Sequence, residues 1–186
     1  VGQGEPFKLR WFQRDFIKDI YEPCDVDGRR IVRRAILSLA RKNGKTALTA
    51  AIALAHLIGP EAIENGEIYS AANDREQASI VFRIAAQIVR ADPELSEKLR
   101  VVDSTKRIVN YANGSFYQAI SAEHGTKHGF SPSLVIYDEL AQAKDTFIED
   151  IAAQPGFLAT MGENVSDIRV ARFLKMIGQV DQQHSM

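Results

Sequence analysis

The amino-acid sequence predicts an α/β protein built on a mostly parallel β-sheet. Apolar runs of strand length alternate along the chain with amphipathic runs of helix length, a pattern typical of parallel sheets covered by helices. One strand-like run leads through a short glycine-containing loop into a helix, and another ends in two consecutive acidic residues. The 186 residues are enough for one domain with a substantial core.

The helices are predicted from apolar residues that recur at helical spacing. They cover residues 10–21, 47–58 and 75–90. A short helix follows the Asp92-Pro93 pair, since aspartate suits the N-cap and proline the first helical position. Near the end of the chain, residues 146–152 and 166–177 are also expected to be helical.

The strands are predicted from short apolar runs over residues 31–39, 67–72 and 134–137. Residues 107–111 and 115–120 form a predicted hairpin around Ala112-Asn113-Gly114. Residues 157–160 are a further candidate strand. The alternation of strands with helices indicates a three-layer α/β sheet.

The overall composition excludes several classes of protein. A net charge of −1 gives no global electrostatic case for nucleic-acid binding. Cys24 is the only cysteine, so no intramolecular disulfide can form and a reducing cytosol is expected. The chain has no run of about 18 apolar residues, so we expect no membrane span. A local cluster of arginines stands at the start of a predicted strand, and we expect their side chains to be solvated. They are Arg29, Arg30, Arg33 and Arg34.

The first functional motif is the loop Arg41-Lys42-Asn43-Gly44-Lys45-Thr46, which lies between a predicted strand and a predicted helix. Strand, tight loop with Gly-Lys-Thr and helix is the layout of a phosphate-binding loop (P-loop). Backbone N–H groups surround the phosphate oxygens, and the helix N-terminus adds partial positive charge. Lys45 would reach the β- and γ-phosphates, and Thr46 would bind Mg²⁺. The usual pattern has glycine where this chain has Leu39.

The second functional motif is Asp138-Glu139, which follows the apolar run 134–137. Acidic residues at the carboxyl end of a buried parallel strand lie where open α/β sheets bind ligands. Asp138 can hold Mg²⁺ through its water shell, and Glu139 can orient and deprotonate a water for attack on the γ-phosphate. The alternative is two solvated acids that cap the next segment, and the P-loop upstream favours the catalytic interpretation.

These motifs together resemble the ATPase domain of the tailed-phage terminase large subunit, over about residues 7–145. The segment Leu9-Arg10-Trp11-Phe12-Gln13 resembles that family's adenine-binding segment, and the loop 40–46 resembles its P-loop, which often lacks the first glycine. Residues 68–78 resemble its next strand and helix, and the stretch from Gly125 to Glu139 resembles its approach to the acidic motif. The expected fold is therefore a three-layer P-loop NTPase of the RecA-like, ASCE class.

The resemblance implies roles for particular residues. Gln13 would pair with the adenine edge, as side-chain amides do, with Trp11 or Phe12 near for stacking. The alternative is that Gln13 is only a polar position on an amphipathic helix. Arg41 would contact the γ-phosphate of its own or a neighbouring subunit's site. The other expected nucleotide contacts come from Lys42, Asn43, Gly44, Lys45 and Thr46.

The resemblance also implies cofactors and partners. ATP and Mg²⁺ are the expected ligands, and Glu139, Lys45 and Arg41 the expected catalytic residues. The expected partners are double-stranded DNA, the portal and the small terminase subunit. The active form is expected to be a homo-oligomer in the host cytoplasm, with no membrane association.

The chain departs from the terminase pattern at its end. The family's coupling motif, with paired Thr or Ser-Thr, has only residues 157–160 as a counterpart. We expect an ATPase domain over residues 1–160, a divergent helical tail over 161–186, and no nuclease domain. Two alternative functions stay open: a helicase-like or RecA-like nucleic-acid ATPase, and an inactive nucleotide-binding remnant of a prophage gene.

Overall fold

The computed structural model describes residues 8–40, 42–72, 75–121, 131–137 and 157–161. Within these residues the chain forms four helices: α1 Trp11–Tyr21, α2 Lys45–Leu57, α3 Arg75–Ala91 and α4 Pro93–Lys98. It also forms seven strands: β1 Arg34–Ser38, β2 Glu67–Ala72, β3 Leu99–Val102, β4 Arg107–Asn110, β5 Phe116–Ser121, β6 Pro132–Tyr137 and β7 Phe157–Met161. The predicted helices at 146–152 and 166–177 lie outside the described residues.

All of these strands belong to one mixed sheet in the order β1-β7-β6-β2-β5-β4-β3. The neighbouring strands β1, β7, β6, β2 and β5 all pair in parallel. β4 and β3 add an antiparallel edge. The α/β class and the mostly parallel sheet are therefore confirmed. The candidate strand at 157–160 is also confirmed, because β7 lies between β1 and β6.

The core forms where α2 and α3 pack against each other and against the central strands. α2 is apolar around most of its circumference, and nine of its residues are buried, as expected for a helix enclosed on several sides. The side chains of Leu57, Ile68, Val81, Ile108 and Ile136 are all completely or almost completely buried. This packing fixes the axis of α2, the helix that follows the predicted phosphate-binding loop.

One predicted strand needs correction, and one strand was not predicted. β1 begins at Arg34 rather than at residue 31, because the segment before it pairs with an earlier part of the chain. The Ile31 N–H donates to the Pro23 carbonyl at 3.0 Å, and Cys24 bridges Arg30. The strand β3 was missed, because its residues follow α4 without a break and it is defined by its antiparallel pairing with β4.

The prediction that Arg30 is solvated is wrong. Its guanidinium lies 3.3 Å from the Glu61 carboxylate, and its side chain is only 22% exposed. It also lies over the Tyr21 ring, 5.2 Å from the ring centroid. Arg29, by contrast, is 79% exposed beside Asp27, as expected. Arg30 therefore helps to attach the end of α1 to the body of the domain.

The carboxyl end of α1 is held on α2 by a buried polar contact. The Tyr21 hydroxyl lies 2.9 Å from Nε2 of His56, and His56 is only 4% exposed. Burial, and then the nearby positive charge of Arg30, lower the pKa of His56 from 6.5 to about 4. Burial is also the main cause that raises the pKa of Tyr21 to about 12. Both groups are therefore neutral near pH 7.

None of the helices in the described part of the chain has the length and apolar character that a membrane span requires.

The buried His56 predicts a pH-dependent stability. The unfolded chain binds a proton at His56 below about pH 6.5, whereas the folded protein binds it only near pH 4. Stability is therefore lost as the pH falls through this window. Between about pH 7.5 and about pH 5, we expect the wild-type free energy of unfolding to fall by about 2 kcal/mol more than that of His56→Gln. Urea denaturation of both proteins at both pH values measures this difference, and equal losses would contradict it.

Candidate active site

The loop between β1 and α2 takes a backbone shape that ordinary L-residues adopt rarely. Gly44 precedes α2 at φ 74°, and Lys42 lies at φ 66°. Glycine reaches this left-handed region at little cost, whereas a residue with a Cβ does so at about 1–2 kcal/mol. The surrounding contacts must therefore hold Lys42 in place. Arg41 lies outside the described residues.

The Lys45 side chain closes this loop by a hydrogen bond back to its first residue, Leu39. Its Nζ donates to the carbonyl oxygen of Leu39 at 2.8 Å, and Lys45 is only 9% exposed. Leu39 stands where the usual motif has glycine, but the contact uses its backbone carbonyl. The missing glycine therefore does not prevent this closure. The ammonium group is held at the mouth of the loop, beside the first turn of α2.

The first turn of α2 offers a favourable environment for an anion. A helix N-terminus presents unpaired N–H groups and partial positive charge. α2 begins at Lys45 and Thr46, and no acidic residue lies in its first turn. Thr46 is half-buried at the second position of the helix. The loop, the ammonium group and the helix end thus combine features that bind phosphate.

The amino end of α1 is attached directly to the loop through Asn43. Nε2 of Gln13 donates to the Asn43 carbonyl at 3.2 Å, and Nη1 of Arg10 donates to Oδ1 of Asn43 at 3.3 Å. Oε1 of Gln13 accepts from the Arg10 backbone N–H at 2.9 Å. Asn43 Nδ2 in turn donates to the Ala40 carbonyl at 3.3 Å. These bonds join residues about thirty positions apart into one network.

The structure gives Gln13 a contact that the sequence did not predict. It is only 2% exposed, and each end of its amide already bonds to the backbone of this network. Arg10 was not predicted as a site residue at all. A glutamine at the third helical position does carry a local signal, because such residues accept from the N-cap N–H. The contact with Asn43 depends on tertiary structure and has no local signal.

The strand that precedes the acidic pair ends at the same edge of the sheet as the loop. Tyr137, the last residue of β6, is in register with Ala159 of β7, and Ala159 with Ile36 of β1. Since neighbouring strands lie about 4.8 Å apart, β1 and β6 are separated by about 10 Å. Asp138 and Glu139 themselves lie outside the described residues.

Comparisons with known proteins point to one family. The family model for the terminase large subunit, ATPase domain, matches residues 12–158. The terminase large subunit of Enterobacteria phage HK97 is 45% identical over 157 residues, which are 82% of this chain and 30% of that protein. The chain therefore spans less than a third of this relative. These matches confirm the resemblance that the sequence motifs indicated.

Solved structures agree with this result. The crystal structure of the HK97 bacteriophage large terminase matches with a TM-score of 0.73 and 42% identity, over 86% of this chain and 34% of that one. The large terminase ATPase domain of Thermus phage P74-26 matches with a TM-score of 0.60 and 16% identity, over 83% of this chain and 65% of that one. The second likeness supports the α/β fold alone.

The tight contact between Gly44 and α1 predicts an unequal effect of two alanine substitutions. Gly28 and Gly44 have similar positive φ values, but a Cβ on Gly28 meets nothing within 4 Å, whereas one on Gly44 lies 3.2 Å from Nε2 of Gln13. Gly28→Ala should lower the free energy of unfolding by about 1 kcal/mol. Gly44→Ala should cost about 1 kcal/mol more, because it displaces the Gln13 hydrogen bond. Equal losses in urea denaturation would contradict this contact.

Proposed function

The chain belongs to the family of terminase large subunit ATPase domains, and on this premise we propose that its 39–46 loop binds the phosphates of ATP during hydrolysis. The observation that carries the proposal is the hydrogen bond by which Lys45 closes the loop on the Leu39 carbonyl at the start of α2. A buried ammonium group gains most from a charged acceptor, which can take the place of that neutral carbonyl. The phosphate oxygens of ATP are such acceptors.

The hydrolytic step needs residues that follow β1 and residues that follow β6. We propose that Glu139 accepts a proton from a water molecule while the water oxygen bonds to the γ-phosphorus. The bond from the γ-phosphorus to its bridging oxygen breaks, and ADP and phosphate leave. Thr46 and Asp138 are the proposed holders of Mg²⁺, which would neutralise charge on the β- and γ-oxygens. The shared edge of β1 and β6 supports this assignment.

The remaining loop residues are proposed to complete the phosphate site. The backbone N–H groups of Asn43, Gly44 and Lys45 would face the phosphate oxygens. Arg41 is proposed as the cation that stabilises charge on the γ-phosphate in the transition state, within its own subunit or a neighbouring one. Lys42, which is exposed, would add positive potential at the mouth of the loop.

We propose that Gln13 hydrogen-bonds to the adenine edge while it keeps its bonds in the network. Because Gln13 is only 2% exposed, the groups that cover its amide must move aside to admit the base. Its Oε1 has a second lone pair and its Nε2 a second hydrogen beyond the two bonds that hold it. This free acceptor and this free donor match the donor and the acceptor on the adenine edge. Trp11 is 71% exposed, and its ring packs edge-on against Phe12 with centroids 5.7 Å apart. It can therefore offer a stacking surface beside the base.

The finer fold assignment is a three-layer, RecA-like domain of the ASCE class, in which an additional strand separates the P-loop strand from the acidic strand. The position of β7 between β1 and β6 supports it. The end of β7 is then the natural place for the coupling residue, and Thr160 pairs in register with Leu37. We propose the ATPase domain that the sequence predicted over residues 1–160, followed by a separate tail. Because β7 includes Met161, the domain would extend to that residue and the tail would begin one residue later than the sequence predicted.

For the whole protein we propose that hydrolysis drives double-stranded DNA into a phage prohead in the host cytoplasm. The portal, the small terminase subunit and further copies of this chain are the proposed partners. The match to phage large terminases supports this proposal.

The phosphate site is tested with Lys45→Ala. Loss of the ammonium group should weaken Mg-ATP binding by about 10-fold to 100-fold, the scale expected for charged hydrogen bonds to phosphate. Isothermal titration calorimetry measures the affinity, and circular dichroism confirms that the variant is folded. Lys98→Ala, which removes an equal charge from the distant helix α4, should bind normally. Unchanged affinity in Lys45→Ala would refute the phosphate site.

The catalytic base is tested with Glu139→Gln. Glutamine keeps the shape of the side chain but accepts no proton, so kcat should fall by at least about 100-fold while Mg-ATP still binds. Phosphate release is the measurement, and Glu97→Gln on α4 is the matched control. Turnover at the wild-type rate would mean that another residue is the catalytic base, with Asp138 the first candidate.

A further inference from the structure

Asn43 is fixed from three directions, although it lies in a loop. Its side-chain oxygen accepts from Nη1 of Arg10, its side-chain amide donates to the Ala40 carbonyl, and its own carbonyl accepts from Nε2 of Gln13. Two of these three bonds come from α1, and only one comes from the loop. The conformation of Asn43 is therefore set largely by a helix that lies thirty positions earlier in the sequence.

The orientation of Asn43 determines where the next N–H group points. In a trans peptide the C=O and the following N–H point in opposite directions. Because the Asn43 carbonyl points at Gln13, the Gly44 N–H points away from α1. The next backbone donors belong to Lys45 and to the first turn of α2. Any rotation of Asn43 would thus turn the Gly44 donor away from its present direction.

The loop also needs an external restraint. Lys42, immediately before Asn43, is held at φ 66° without being glycine. A conformation of this cost persists only where neighbouring contacts over-determine it. Arg10 supplies one such contact from an exposed position. Its removal therefore leaves no cavity in the core.

We propose that Arg10 is a positioning residue of the phosphate-binding loop. Through Asn43 it holds the Gly44 N–H and the left-handed Lys42 in the arrangement that receives phosphate. Arg10 itself contacts no part of the nucleotide. This inference rests on the proposed function of the loop, and it adds to that function a residue outside the loop that controls phosphate affinity.

The test compares two ligands, Mg-ATP and inorganic tripolyphosphate with Mg²⁺, which carries phosphates but no base or ribose. Arg10→Ala should weaken both by about 3-fold to 10-fold, the scale of one exposed hydrogen bond. Arg10→Lys keeps a cationic donor on a long stem and should recover most of the loss. Arg14→Ala removes an equal charge one turn further along α1, where Arg14 is exposed, and should bind both ligands as the wild type does.

A double-mutant cycle with Asn43→Ala tests the route of the effect. If Arg10 acts through Asn43, the double variant should bind no more weakly than Asn43→Ala alone. The melting temperature of the nucleotide-free Arg10→Ala protein should fall only slightly, since a single exposed hydrogen bond is lost.

Several results would overturn the positioning role. Unchanged tripolyphosphate affinity with weakened ATP binding would mean that Arg10 contacts the base or ribose. Additive losses in the double variant would mean that Arg10 does not act through Asn43, and an equal loss in Arg14→Ala would indicate a general charge effect. Lys45→Ala, measured beside these variants, separates the two claims. If it loses tripolyphosphate binding while Arg10→Ala does not, only the positioning role fails.

Discussion

The rest of the site depends on the ammonium group of Lys45, which is held on the Leu39 carbonyl at the mouth of the loop. Burial makes this charge costly unless it is paired. The Leu39 carbonyl is one acceptor for it, and a phosphate oxygen is a stronger one. The loop is therefore closed without a ligand, and the proposed nucleotide binding would exchange the Leu39 carbonyl for a phosphate oxygen. Such a preformed site avoids much of the entropy cost of ordering a loop on binding.

The helix α1 connects this site to the far end of α2. Its amino end bonds to Asn43 through Arg10 and Gln13, and its carboxyl end bonds to His56 through Tyr21. Polar contacts thus attach α1 to both ends of α2. The candidate adenine site and the candidate phosphate site therefore belong to one structural unit. A substitution at either end of α1 is expected to alter the conformation of the loop.

The sequence predicted the elements whose signals are local. Apolar periodicity located the helices, and the Asp92-Pro93 pair located the start of α4, where the Asp92 side chain accepts from two backbone N–H groups. The missed strand β3 and the late start of β1 have the opposite cause. Both are defined by backbone pairing rather than by an apolar pattern: β3 pairs with β4, and Cys24 with Arg30. The contacts of Arg10 and Gln13 with Asn43 depend on tertiary structure, so the sequence indicated Gln13 as a site residue but neither of these bonds.

The proposed phosphate site of the 39–46 loop depends on its closure by Lys45. A crystal structure of the chain with Mg²⁺ and a non-hydrolysable ATP analogue tests it most directly. We predict the β- and γ-phosphates inside the loop, with Nζ of Lys45 on their oxygens and no longer on the Leu39 carbonyl. An analogue bound elsewhere, with the Lys45–Leu39 hydrogen bond intact, would contradict the account.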